Sequence, residues 1–343
     1  MIDFHVHLRD WNQKQKETVE HGLAVAKLCG INAVADMPNC DPPLTDRETV
    51  LDRLALAAPS VKRHKVSYHV YMGLTRDPDQ IRRAVNTYNE LYPLVIGLKM
   101  FAGHSTGNMG ITEPEDQRTV FRTLSEMNYS GVLALHCEKE SLMRSDLYVQ
   151  GQYETQSLAR PAEAEIESIK DMIALAEETG YKGRLHICHI STREGIEEVV
   201  RAKEKGMKIT CAATAHHALL TSKDACDHSR YLRMNPPLRD EENRRAVYEG
   251  LINGKIDYVE SDHAPHTIED KKKGMGGIPG FAGDLILLRA LKKDNVPQQR
   301  LEELFALNCA HDFGIEAEGR IIPDRIDWRI EQAVREYPYN GFV

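Results

Sequence analysis

Eight strand-like segments alternating with helical ones predict an α/β fold, a (β/α)8 barrel of the TIM type. Three observations carry that expectation: the number of alternations, the glycines that stop the helices, and the ionisable residues gathered at the strand ends. Parallel pairing through right-handed crossovers is the arrangement such a chain favours. An open doubly wound sheet is the alternative. It would normally carry a glycine-rich phosphate loop after its first strand, and none stands there. The run Gly274-Met-Gly-Gly-Ile-Pro-Gly280 is glycine-rich but follows the eighth strand, and reads as a mobile loop.

The strands are expected near 2–7, 32–37, 65–72, 94–101, 131–136, 184–189, 207–212 and 256–261. In the first, strict alternation puts Asp3, His5, His7 and Arg9 on one face and Phe4, Val6 and Leu8 on the other, buried against a helix. The later ones have short apolar cores such as Asn32-Ala-Val-Ala-Asp36, Leu94-Val-Ile-Gly-Leu98, Val132-Leu-Ala-Leu135 and Lys208-Ile-Thr-Cys211. Helices are expected over 15–29, 46–57, 78–91, 114–128, 161–179, 193–205 and 240–253. Gly30, Gly180 and Gly206 supply left-handed stops for three of them.

The chain has 343 residues, enough for one large domain or two ordinary ones, and no interdomain linker, repeat or low-complexity tract is evident. With 44 Lys and Arg against 52 Asp and Glu, the formal charge is −8 with both signs mixed throughout. That disfavours a nucleic-acid or anionic-membrane partner and suits a soluble protein with a small-molecule substrate. No run approaches the length of a membrane span, and no charged-then-apolar leader opens the sequence. The seven cysteines are scattered without a C-x-x-C pair, which fits free thiols in a cytoplasmic setting.

A barrel keeps its chemistry at the carboxyl ends of its strands. His5 and His7 end strand one, Lys99 strand four, His136 strand five, His189 strand six and Asp262 strand eight. Alone, His-x-His reads equally as a metal pair or as two hydrogen-bonded strand residues. Four histidines and an aspartate at one rim make a site for zinc or a similar divalent metal, as one or two ions. Lys99 reads as a buried lysine paired with a carboxylate, as a Schiff-base lysine, or as a carbamate formed from carbon dioxide that could bridge two metals. Its place among histidines favours the carbamate. Arg9, one step beyond the pair, suits an anionic substrate group, or else a rim salt bridge with Asp10.

These motifs, in this order, resemble the amidohydrolase superfamily and, within it, the dihydroorotases. The likeness runs in spaced blocks from residue 3 to about residue 314. Asp3-Phe-His-Val-His-Leu-Arg9 and Ser261-Asp-His-Ala-Pro-His266, with Lys271 beyond, resemble the two family signatures. Asp36-Met-Pro-Asn39 and Met234-Asn-Pro-Pro-Leu-Arg239 resemble its substrate-facing turns. The resemblance implies that His5, His7 and Asp262 bind the more buried metal, carbamylated Lys99 bridges, and His136 and His189 hold the second. It implies that Arg9, Asn39 and His266 grip a substrate carboxylate and that Asn235 meets a pyrimidine ring. The implied reaction is the reversible cyclisation of N-carbamoyl-L-aspartate to L-dihydroorotate in pyrimidine synthesis. Metal-bound hydroxide would be the nucleophile and Asp262 the general acid and base.

Other polar residues carry weaker assignments. His186 reads as a satisfied interior histidine, Glu138 as a partner of His136 or a loop carboxylate, and His216 and His217 receive no ligand role. His104 is expected on a flexible loop near the mouth. Trp11 and Glu260 depart from the family pattern, which usually has a small residue at the latter position and a small residue or proline at the former. A buried Glu260 would need a partner. The expected organisation is a barrel over 1–314 and a tail over 315–343, the remnant of an outer β-sandwich that is mostly missing in this shortened form. The face so uncovered favours a homo-oligomer or a partner enzyme such as aspartate transcarbamoylase. Two other readings stand beside the first: another cyclic amidohydrolase (hydantoinase, dihydropyrimidinase or allantoinase), and a non-catalytic partner of aspartate transcarbamoylase.

Overall fold

The alternation is realised as eight parallel strands: β1 (Ile2–Val6), β2 (Ala33–Asp36), β3 (Ser67–Gly73), β4 (Val95–Phe101), β5 (Val132–His136), β6 (Arg184–Ile187), β7 (Ile209–Ala213) and β8 (Tyr258–Val259). In the computed structural model, which describes residues 1–105, 108–317 and 319–342, they pair in sequence order. A parallel bridge between Val6 and His263, just past β8, brings the last strand round to the first. The doubly wound alternative is thereby excluded.

Helices α1 (Val19–Cys29), α2 (Arg47–His64), α3 (Pro78–Leu91), α4 (Pro114–Glu126), α5 (Ala162–Thr179), α6 (Arg193–Glu204) and α7 (Glu241–Asn253) follow the first seven strands. An eighth, α8 (Phe281–Lys293), follows β8 and was not expected from the sequence. Helix α1 starts later than its apolar periodicity suggests because Thr18 caps it, its side chain accepting from the His21 amide. At its other end Gly30 takes φ 82°, the left-handed stop its identity foretells.

The strict alternation expected for β1 breaks. The β1–β2 register shifts between Asp3 and Val6, and a bulge of this kind moves following side chains to the opposite face. Phe4 therefore joins Ile2, Tyr71, Ile96 and Phe313 in the apolar cluster inside the barrel, meeting the Phe313 ring edge-on at 5.1 Å. Val6 and Leu8 pack outward among helix residues. Asp3 leaves the histidine face and accepts from the Ser261 amide at 3.1 Å, tying β1 to the β8 exit.

One further expectation is revised. The glycine-rich loop 274–280 is pinned: buried Lys271 donates to the carbonyls of Arg233, Met275 and Gly277, and Ala264 N–H donates to Ile278 at 2.9 Å. Gly277, at φ 127°, is required there, since a Cβ would stand 2.6 Å from the Ala264 carbonyl oxygen. The described part of the tail, 315–317 and 319–342, forms a helix, α9 (Ile326–Arg335), and no strand. It packs on α1 and α8. Residues 318 and 343 of that tail, and 106–107 of the loop bearing His104, lie outside the described residues.

Candidate metal centre and substrate pocket

His5 and His7 leave β1 with their Nε2 atoms converging on one oxygen of Asp262, 3.4 and 2.9 Å away. All three are buried and line one pocket. Each ring is oriented from behind. His5 Nδ1–H donates to Glu260 at 3.0 Å, and His7 Nδ1–H donates to the Asn39 side-chain oxygen at 2.6 Å. With Nδ1 donating, Nε2 presents its lone pair to the Asp262 side, which is the tautomer a metal ligand needs. Burial disfavours a charged His5, but the Glu260 carboxylate outweighs it and pushes the imidazole up to about 10. Burial lowers His7 to about 4, against the opposing pull of Asp262. Asp262 itself is buried, yet the neighbouring His7 and His5 hold it well below the usual carboxylate range. A divalent cation would compete with a proton for this cluster, as ligation requires.

His136, at the end of β5, and His189, just past β6, face each other with Nδ1 and Nε2 3.1 Å apart. Both are buried, and burial pushes both imidazoles toward the neutral form. His189 Nδ1 has no hydrogen-bond partner among the described residues. Glu138 lies 3.0 Å from His136 and is gripped by Arg160, whose Nε stands 3.1 and 3.0 Å from its two oxygens. Burial opposes its charge, but Arg160 overrides that and holds Glu138 at about 2. Lys99 is fully buried on β4. Its Nζ donates to Cys188 Sγ at 3.1 Å and stands 5.0 Å over the Phe101 ring. Burial would raise the Cys188 thiol, but the Lys99 charge prevails and draws it down to about 5. His5, Cys188 and Glu260 form a second group of potential ligands, with donor atoms all within 4.8 Å.

On the pocket wall, Arg9 is buried and donates to the Pro265 carbonyl and to His266 Nε2, each at 3.3 Å. No carboxylate lies within ion-pair distance of it among the described residues. Asp10 instead accepts from the Trp11 and Val19 amides, so no salt bridge forms between Arg9 and Asp10. The Arg9 backbone is presented by Asp36, which accepts from Leu8 N–H at 2.9 Å and is itself held by Arg53 at 2.7 Å. Trp11 lies against that same Arg53, 5.0 Å from the guanidinium. Burial, with Arg9 beside it, keeps His266 far below its usual range and therefore neutral. Asn235 lines the opposite wall, its oxygen accepting from Gln156 at 2.7 Å. His217 is spent on Thr214 and the Pro236 carbonyl.

Of the ten residues predicted for the site, eight line one pocket, His266 stands beside it against Arg9, and Lys99 lies off it on Cys188. The paired imidazole nitrogens, the unpartnered His189 Nδ1 and the shared Asp262 oxygen fit divalent metal ions. The sequence reading missed Arg160 and Arg53, which carry no motif of their own, and quoted Asp36 in its motif without the clamp that Arg53 makes on it. It flagged Glu260 without identifying its partners, which are His5 and His186.

No protein-family model matches the chain. Curated relatives do. The dihydroorotase of Thermococcus kodakarensis is 34% identical over 96% of this chain and 74% of its own length. That of Pyrococcus abyssi is 35% identical over 93% and 69%, and that of Halobacterium salinarum 33% over 95% and 74%. Among solved structures, the L-hydantoinase (dihydropyrimidinase) of Arthrobacter aurescens superposes with a TM-score of 0.82 at 24% identity, covering 94% of this chain and 72% of that one. The Saccharomyces cerevisiae dihydroorotase in complex with 5-fluoroorotic acid gives 0.74 at 19%, covering 92% and 84%. At those identities the structural likeness bears on the fold alone, a parallel eight-stranded β/α barrel.

Proposed function

The chain belongs to the dihydroorotase family, and on that premise we propose how its residues divide the family's reaction, the reversible ring opening of L-dihydroorotate to N-carbamoyl-L-aspartate in pyrimidine synthesis. The observation that carries the proposal is the meeting of His5 and His7 on one Asp262 oxygen, beside a buried arginine with no carboxylate of its own. His5, His7 and Asp262 would hold one divalent ion and His136 and His189 another, zinc being the metal that suits imidazole and carboxylate donors. Lys99, as its carbamate, would join the two. Bound there, the ions supply Lewis acidity toward the ring carbonyl and lower the pKa of water.

Asp262 accepts the proton released as water adds to the ring carbonyl, and delivers it to the departing ring nitrogen. In the reverse direction it takes the ureido proton. Arg9 receives the substrate carboxylate on its planar fork, assisted by neutral His266. Asn39 contributes its amide nitrogen to that carboxylate, since its oxygen is engaged with His7. Asn235 meets the ring from the far wall. Hydantoins and dihydropyrimidines need not carry a ring carboxylate, so an arginine left for one favours dihydroorotate over those substrates. No helix among the described residues is long and apolar enough to cross a membrane, and a cytoplasmic site of action completes the reading.

The test is the rate of L-dihydroorotate ring opening by zinc-loaded protein in bicarbonate buffer, with Asp262→Ala beside it. Turnover that falls by about 10²–10⁴-fold in the variant is expected for loss of the acid-base group. Wild-type protein with metal bound and no turnover would remove the substrate assignment.

A further inference from the structure

Glu260 stands two residues before Asp262, where the related signature usually has a small residue, and it is 1% exposed. A carboxylate so placed is costly unless every oxygen is satisfied. Here both are. One oxygen accepts from His5 Nδ1–H at 3.0 Å and from the backbone N–H of His189. The other lies 3.2 Å from His186 Nε2. His186 Nδ1 meets the Tyr258 hydroxyl at 2.9 Å, with the two rings stacked 19° from parallel, and Nε2 faces a carboxylate oxygen, which can only accept. The His186 proton therefore sits on Nε2 and points at Glu260. Three donors from strands β1 and β6 thus meet on one side chain from the end of β8.

We propose that Glu260 is a positioning residue of the metal centre, holding the His5 ring and the His189 backbone in their ligating arrangement. The proposal rests on the ligand assignment made above. Its action on His5 is to fix the proton on Nδ1 and, as an anion, to strengthen Nε2 as a donor to a cation. Its action on His189 is on the main chain. This non-glycine residue has φ 36°, in the left-handed region, and the Glu260 oxygen on its amide helps hold it there. One carboxylate thereby links a ligand of each half of the site. The proximity of His5, Cys188 and Glu260 admits a rival role for Glu260, as a ligand with the thiol. The hydrogen bonds argue against it, since both Glu260 oxygens already accept from the protein.

The chemistry predicts different results for two substitutions. Glu260→Ala removes all three acceptor contacts. Glu260→Gln keeps an oxygen for His5 and His189 but turns an N–H toward the His186 N–H, and it lacks the charge. The experiment is a zinc titration of wild type, Glu260→Ala, Glu260→Gln and His5→Ala against a chromophoric chelator. The visible spectra of the cobalt-loaded forms and the melting curves of the metal-free forms accompany it. Zinc affinity is expected to fall about 10–100-fold in Glu260→Ala, the range for loss of an outer partner of a metal ligand. In Glu260→Gln the loss is smaller, with a cobalt spectrum close to wild type. Unchanged zinc affinity in folded Glu260→Ala, alongside a clear loss in His5→Ala, would overturn the role of Glu260 alone. Unchanged affinity in His5→Ala would remove the ligand assignment and the proposal with it. A thiolate-to-cobalt charge-transfer band that disappears on substituting Glu260 would make it a ligand instead. If Glu260→Ala does not fold, Glu260→Gln decides: wild-type affinity in it would overturn the proposal.

Discussion

In the half of the site built from β1 and β8, every group proposed as a ligand already has its partner. His5 is backed by Glu260, His7 by Asn39, and both rings meet Asp262. In the half built from β4, β5 and β6 the protein does less. His136 and His189 turn toward each other, one His189 nitrogen is unpartnered among the described residues, and Lys99 points to a thiol instead of to either imidazole. The first half is organised by hydrogen bonds that the chain makes by itself. In the second, Glu138 backs His136 and Glu260 holds the His189 amide, but nothing among the described residues joins the two histidines to the lysine. That contrast teaches where the chain has placed its preorganisation: around Asp262, the proposed proton carrier, and less around the groups proposed only to bind.

Lys99→Ala tests the contrast most severely. It removes the group that would become the carbamate, and with it the join between the halves. The expected outcome is a fall in kcat above the roughly 10–100-fold that loss of an outer partner costs, with bound zinc, measured by elemental analysis, reduced to the β1–β8 site. Acetate, a small carboxylate that fits the space left behind, should restore part of both. A variant that keeps its full zinc content would show that the β4–β6 half assembles without the lysine, and the comparison would break.

Arg9→Lys sharpens the comparison from the substrate side. Lysine keeps the charge but loses the planar fork and the contacts to Pro265 and His266. Charge-assisted hydrogen bonds are each worth about 1.5–3 kcal/mol, so the KM for dihydroorotate should rise about 10–100-fold while kcat changes little. A drop in kcat with KM preserved would mean that Arg9 acts on the reacting centre, and not as a carboxylate clamp.

The barrel was legible because strand and helix periodicities are local, and so are glycine stops such as Gly30; the Thr18 cap is equally local but was overlooked, so α1 was expected to begin too early. The six residues proposed for the metal cage could be picked out because they sit at or near strand ends within short motifs. The orienting partners were not. Glu260 reaches His5 across 255 residues of sequence, and Arg160 reaches Glu138 from an irregular stretch with no period to reveal it. The bulge in β1 was equally hidden, since it depends on how β1 pairs with β2 and not on the composition of either. Alternation placed Asp3 beside the histidines, whereas the fold gives it to Ser261.

What braces the β8 exit bears on stability and not on turnover. Glu17, buried at the start of α1, accepts from His21 at 3.1 Å and from the Tyr337 hydroxyl at 2.7 Å, and lies 3.2 Å from His263. His263 is the neighbour of Asp262, and its ring stacks on Phe281 at 3.8 Å. Burial alone would raise the Glu17 carboxyl, but His263 and the hydrogen bonds prevail and lower it from 4.5 to about 2. A carboxyl depressed on folding contributes stability that is fully present above its unfolded value and is lost as the pH falls through the folded one. The contribution of Glu17 should therefore be complete above about pH 4.5 and disappear toward pH 2. Glu17→Gln removes it at neutral pH, where breaking a buried pair costs about 3–5 kcal/mol. Thermal melts of the two proteins should lie furthest apart near pH 7 and converge as the pH approaches 2. A separation that stays constant across that window would mean that Glu17 braces the loop by shape and not by charge, so the β1–β8 half would owe less to electrostatics than its hydrogen bonds imply.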